Sequence, residues 1–380
     1  MGTITRGIAN NILGNGAVDG TDALSGTIPA NNIANASLDN LTTFPPSVDA
    51  GIPQVAGDPP SPVEGDIWYN TNAYKLKVRG LNAVPAGSWA SGPSMNTTRE
   101  GRPGGAGTTT AGLIFGGSNP SVPAYTNETE SFDGSSYSVV PGTLNNARGY
   151  AGPSGTQTAA LYFGGQMPGN PGAVTHTESY DGTAWTELNN INQVRNGGGG
   201  NGSQTAALFI MGGESPNTQY TNVESWNGTS WTEITDVNTG GTSASSVGTS
   251  GAAITFFRHS PNNPAGPYNG RVEDWNGSAW TEVNDLNQGR GSAGVGGVTS
   301  TAAIGFGGYR PGGSPDREHT TEAWDGTSWT EVGDMTYGRY TLGSFGTTGS
   351  ASANGASPAT SNTSTEIWNT GVANKNITLT

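Results

Sequence analysis

The residues of this chain that could do chemistry are few, and their spacing limits what they could do. Its three histidines, His176, His259 and His319, are widely separated, with no HxH or HExxH string and no carboxylate cluster beside them. Zinc needs three or four donors brought to one point, usually from short ligand spacings, so no metal site is expected. The chain has no cysteine, which removes thiolate ligands, thiol nucleophiles and disulfides. Sialidase-type hydrolysis would need an arginine cluster, a tyrosine nucleophile and acid motifs, and no Asp-box repeat carries them. The expectation is a protein with no catalytic residue, no cofactor and no enzyme activity.

Two charged positions recur at a fixed place in each repeat. Glu130, Glu178, Glu224, Glu273, Glu322 and Glu366 precede an aromatic residue, while Arg99, Arg148, Arg195, Arg290 and Arg339 are expected to begin inner strands. Five arginines in a ring could form an anion site. A feature present in nearly every repeat more simply satisfies a need of every repeat, and the expectation is a structural Arg–Glu pair that fastens neighbours.

The elements that position these residues follow from the repeat itself. TESYDGTAWTEL, VESWNGTSWTEI, VEDWNGSAWTEV and TEAWDGTSWTEV are its clearest copies, and the aromatic steps fall at Phe132, Tyr180, Trp226, Trp275, Trp324 and Trp368, with spacings of 48, 46, 49, 49 and 44 residues. A period near 48 in a β-rich chain means four strands per unit. Apolar runs such as TAALYFGG read as buried strands, Asp-Gly and Asn-Gly as tight type I′ hairpins, and NQVRNGGGGNGSQ as a crowded axial strand. The Asn-Gly-Thr and Asn-Gly-Ser strings at Asn227 and Asn276 read as turns before glycosylation sites. Four-stranded antiparallel blades around an axis make a propeller, which leaves only short edges. The fold class is all-β, a six-bladed ring. Trp89 is expected to lie on the strand that completes the sixth blade, with Val372 to Leu379 as the rival.

The Gly-Gly, aromatic-Asp and following Trp resemble the kelch repeat over roughly residues 85 to 370. The chain departs from that pattern at Arg258-His259-Ser260 and at Ser350 to Ala356, where the apolar strand reads SASANGA. Galactose-oxidase-like kelch enzymes require a cysteine-linked tyrosine, so the resemblance implies no such activity here.

A net charge of −14 argues against nucleic acid, whose phosphates demand clustered Lys and Arg. No apolar run approaches the ~20 residues of a membrane helix, so membrane insertion is not expected, and MGTITRGIANNILGNG lacks the pattern of a signal peptide.

The front of the chain differs in kind. Residues 1–60, with scattered Ile and Leu between Asn, Ala and Ser, read as an extended attachment and oligomerisation arm. Residues 61–84 read as a β-hairpin connector around Asn70-Thr71-Asn72, and 85–380 as the ring. EGDIWYNTNAYKLKV followed by GSW resembles an element of bacteriophage tail fibres, and NNAR with GTQTAALYFGG is similar to structural proteins of marine and cyanobacterial phages. The resemblance implies a virion protein, held to other virion proteins through residues 1–60 and oligomeric, with a trimer favoured.

Variation concentrates in the loops after Gly-Gly, which antiparallel blades bring to one face of the ring, while the uniform Asp/Asn-Gly turns line the other. Tyr125, His176, Tyr220, Tyr268, Tyr309, Arg310, Arg317 and His319 give the variable face groups suited to stacking on a sugar or docking a protein. The leading expectation is a tail fibre or appendage that recognises a host-surface glycan or protein. The alternative is a component of tail, neck or capsid whose ring packs only against other virion proteins.

Overall fold

A computed structural model of the chain describes residues 87–370, interrupted at 120–123, 170–171, 215–217, 258, 260–267, 269, 311–315 and 357–362, together with residues 54–56, 67–72, 75–79 and 374–376. The described secondary structure is strand and turn throughout. The arm expected at residues 1–60 lies outside the described residues except for 54–56.

Each repeat folds as one four-stranded antiparallel sheet, six in all. Blade two is representative, with strands Gly152–Thr156, Ala159–Phe163, Thr177–Tyr180 and Trp185–Glu187 in spatial order. The first strand of each blade lies beside the first strands of both neighbours, so the ring is closed. Small residues make that approach possible: a Cβ on Gly105 would lie 2.1 Å from the Ser344 carbonyl oxygen of the adjacent inner strand.

Blade six is completed from the front of the chain. Gly343–Gly346, Ser350–Asn354 and Thr365–Asn369 take Ser88–Ser91 as their fourth strand, with Trp89 opposite Trp368. The rival closer goes elsewhere. Asn374–Asn376, expected within the 85–380 ring, pairs with Lys75–Arg79 of the connector hairpin, which pairs in turn with Ile67–Asn70. Contacts accordingly group residues 83–371 as one unit and residues 1–82 with 372–380 as another.

The hairpin turns differ from expectation. A type I′ turn needs positive φ at both central residues, yet of Asp181 and Gly182 only the glycine has it, at +94°. Four residues, 181–184, connect Tyr180 to Trp185, and Asp181 Oδ1 accepts the amides of Thr183 (2.8 Å) and Ala184 (2.9 Å). Asn227 and Asn276 close their turns in the same way. The side chain caps two amides that a two-residue turn would not offer it.

The core lies between blades. The outer-strand tryptophan packs on the third-strand aromatic of its own blade, as Trp231 does on Trp226 at 5.4 Å, and on a phenylalanine of the preceding blade, Phe163, at 4.8 Å. Its indole N–H reaches the preceding blade too, donating to Thr177 Oγ1 at 3.1 Å. Trp185 and Trp89 repeat this at Thr129 and Thr321.

Both departures from the repeat are answered across a blade interface. In blade six, Ser350–Asn354 of SASANGA still forms a strand buried from Ala351 onward, and Tyr137 of blade one, which stands where other blades have Trp, donates its hydroxyl to Asn354 Oδ1. In blade four, Phe257 takes, at φ +56°, a position held by glycine in four other blades and by Met211 in blade three, and fills the space that Gly305 of blade five leaves. A Cβ on Gly305 would lie 2.2 Å from that ring. Of the Arg258-His259-Ser260 departure, only His259 is among the described residues.

Two outcomes follow. Trp89→Ala should lower stability by about 3–5 kcal/mol, the usual cost of removing a buried tryptophan, whereas truncating residues 372–380 should leave the melting of the ring unchanged; scanning calorimetry separates the two. The amides of Ser135 and Ser136 and the Ser135 hydroxyl hold Asp133 down at about 2, and backbone amides also lower Asp181 and Asp325. Carboxyl groups depressed in the folded state contribute stability that is present above the unfolded value of about 3.9 and lost as pH falls toward the folded one. The triple variant Asp133→Asn, Asp181→Asn, Asp325→Asn should therefore lose less Tm than the parent between about pH 4 and pH 2.

Candidate functional site

The recurring arginines each meet a recurring glutamate in a buried ion pair. All six glutamates and all five arginines are buried. The arginines do not begin the inner strands; they lie in the segments that lead from one blade to the next. Arg195, for example, precedes Gly199–Gly202 and pairs with Glu224 of the blade it is about to enter, Nη1 to Oε1 at 2.6 Å. The Asn192 amide and side chain both donate to Glu224 Oε2 at 2.7 Å. The pair thus clamps a linker onto its own blade instead of joining two blades directly. Desolvation pulls the Arg195 guanidinium below its ordinary range, against the pull of Glu224, and its Cζ lies 4.5 Å from the centroid of the Phe209 ring. In blade four Gly241 occupies the arginine's place, and Glu273 still accepts from Asn238 and Thr239. Buried on glutamate, these five arginines form no anion site.

The residues that follow these arginines close one end of the ring. Arg102, Tyr150, Gly197, Ser243, Ser292 and Thr341 each sit two residues before an inner strand, with φ between 53° and 68°. Backbone bonds of 2.7–3.1 Å join them or their immediate neighbours from blade to blade around the axis. From this circle the Arg102 side chain crosses the axis, donating from Nη1 to Gly197 O (3.1 Å) and from Nη2 to Ala244 O (2.5 Å). Burial draws its guanidinium down to about 10, opposed by the Tyr150 and Tyr162 hydroxyls. Behind it the inner strands line a cavity of about 460 Å³.

An arc of aromatic side chains borders this closure on the variable face. His259 and Tyr268 lie 4.7 Å apart between ring centroids, Tyr268 and Tyr309 5.7 Å, and Tyr309 and Tyr340 5.2 Å. Tyr125 and Tyr150 make a second group at 6.5 Å. All six are half-buried. Desolvation pushes the Tyr125 and Tyr268 hydroxyls up to about 12, so at neutral pH they are protonated hydrogen-bond donors.

Of the expected ligand residues, the structure brings Tyr125, Tyr268 and Tyr309 into this arc. The others are placed differently. His176 pairs with Glu187 at 3.1 Å, His319 with Asp334 at 3.1 Å, and Arg310 with Glu318 at 2.7 Å. Tyr220 donates to Glu214 at 3.1 Å, and Arg317 is exposed, with its backbone bridged to Tyr309. Tyr150, Tyr340 and Arg102 were missed as site residues. A signal existed for Arg102 and Tyr150: they are the large side chains in a slot that holds Gly, Ser or Thr in the other four blades. Among the described residues no group of three His, Asp or Glu is placed to hold a metal ion, and no helix is long and apolar enough to cross a membrane.

No protein-family profile and no curated protein sequence matches the chain.

Arg195→Met should cost about 3–5 kcal/mol in equilibrium urea denaturation, because Glu224 stays buried without its cation. Glu224→Gln should cost a similar amount, while exposed Arg317→Met should stay within about 0.5 kcal/mol of the parent.

Proposed function

We propose that this chain is a kelch-like virion protein of a tailed bacteriophage, a tail fibre or appendage that attaches by its N-terminal arm and recognises the host surface with the loop face of its propeller. The observation that carries the reading is the tyrosine arc. One face of the ring concentrates half-buried aromatic rings, with desolvation raising the Tyr125 and Tyr268 hydroxyls, while the opposite face repeats one uniform capped turn. Aromatic rings with hydrogen-bonding rims present large contact area at low entropic cost, the properties that favour stacking on a sugar or anchoring in a protein partner. Binding, not catalysis, is the role that fits: the arc offers donors and stacking surfaces, and the buried charges are committed to glutamate clamps.

The kelch-like spacing of Gly-Gly, aromatic-Asp and Trp supports the family placement, and EGDIWYNTNAYKLKV with GTQTAALYFGG supports the phage placement and an oligomer, a trimer by preference, built through residues 1–60. In an adsorption assay, purified full-length chain should compete with phage particles for host cells, and the variant Tyr268→Ala, Tyr309→Ala should compete at least tenfold less well while melting as a folded ring. No competition by the parent chain would point instead to a ring that packs only against virion neighbours.

A further inference from the structure

The axial cavity is a second candidate site, distinct from the loop face. Its lining is mostly glycine, alanine and serine with the apolar side chains of Val247, Val295, Leu342 and Phe345, and it carries hydroxyls from Ser154, Ser245, Ser246 and Ser344 and the amide of Asn201. Among the described residues no carboxylate lines it, and Arg102 is the charged residue in its wall. In a chain with 29 acidic and 15 basic residues, the acidic groups are kept off the axial wall.

Arg102 also differs from the other linker arginines in its partners. Arg99, Arg148, Arg195, Arg290 and Arg339 each hold a buried glutamate. Among the described residues Arg102 bonds two carbonyl oxygens, which neutralise no charge. A guanidinium carries five N–H donors, so two bonds leave three to spare. A cation held among walls of low polarity acts more strongly than one in water, and a cleft lined by one sign of charge focuses its field.

The cavity is blind. Arg102 and the backbone circle close it on the loop face. Its other end lies where the first strand of each blade turns into the second, at the exposed residues Thr156, Ser203, Thr249 and Val298. A solute enters from the turn face, away from the tyrosine arc.

We propose that the axial cavity binds a small oxyanion, as a carboxylate or as a phosphate or sulfate group, on the Arg102 guanidinium, with entry from the turn face. The volume suits a small molecule carrying such a group, and the serine hydroxyls and Asn201 amide provide neutral polar wall along its path. The proposal stands apart from host recognition by the loop face, and either could fail without the other.

Thermal unfolding of the full chain tests it, with sulfate or acetate added at fixed ionic strength and chloride as the balancing anion. A ligand of the folded state raises Tm with concentration, so a saturable rise is expected. Preference for sulfate over acetate, or the reverse, tells a tetrahedral anion from a carboxylate. Arg102→Gln should abolish the shift, and Arg102→Lys should retain part of it. Because Arg102→Gln removes two carbonyl contacts and could weaken the ring, the rim variant Thr249→Trp, Val298→Trp is the second arm: it leaves Arg102 intact, obstructs the entrance, and should weaken the effect at least tenfold. Absence of a saturable shift, a shift preserved in Arg102→Gln, or one indifferent to the rim variant overturns the proposal.

Discussion

A four-stranded blade has two apolar faces and no means of covering either by itself; the whole structure depends on each blade being covered by the next. Phe163 of blade two finds its partner in Trp231 of blade three, and the Trp231 indole returns a hydrogen bond to Thr177 of blade two. Such a contact propagates around the ring and has to close on itself. Closure falls to Ser88–Ser91, where Trp89 packs at once on Trp368 of its own blade and on Phe306 of the preceding one. The chain thus fastens its first ring strand to its last blade.

Interblade packing explains why the irregularities of the repeat come in pairs. Phe257 would be a poor residue for a left-handed backbone position taken alone. Opposite Gly305 it fills a gap and supports the Arg290 guanidinium at 4.6 Å. The polar strand of blade six would be a poor core strand alone, yet Ser352 and Asn354 meet the hydroxyl of Tyr137. A buried polar group is costly only without a partner, and here the partner comes from the adjacent blade.

The glutamate clamp separates scaffold from face. By drawing linker amides onto a buried carboxylate in every blade, with an arginine in five of them, it fixes the path of the chain into every inner strand and lets the residues that follow take left-handed backbone positions in register around the axis. Arg102 and the tyrosine arc occupy the surface that this circle creates. The two faces consequently serve different ends: the turn side is built from one repeated capped connection, and the loop side carries what is particular to each blade.

The sequence by itself determined the blade count and the strand order within a blade, because each rests on local chemistry repeated at a fixed period, Gly-Gly stops and Asp/Asn-Gly connections; it favoured Trp89 for the closing strand but left Val372 to Leu379 as a rival, and the pairing of Ser88–Ser91 with Thr365–Asn369 decided between them. It also assigned Tyr125, Tyr268 and Tyr309 to one face, since antiparallel alternation decides which loops emerge together. Only the tertiary structure decided that the turns span four residues, that the arginines clamp linkers instead of joining blades, and that His176, His319, Arg310 and Tyr220 turn to nearby carboxylates. Only it showed Tyr150, Tyr340 and Arg102 gathered at the axis. These depend on side-chain reach between positions far apart in sequence, such as Arg102 to Gly197 and Ala244, and no local pattern of residue types encodes a distance across the ring.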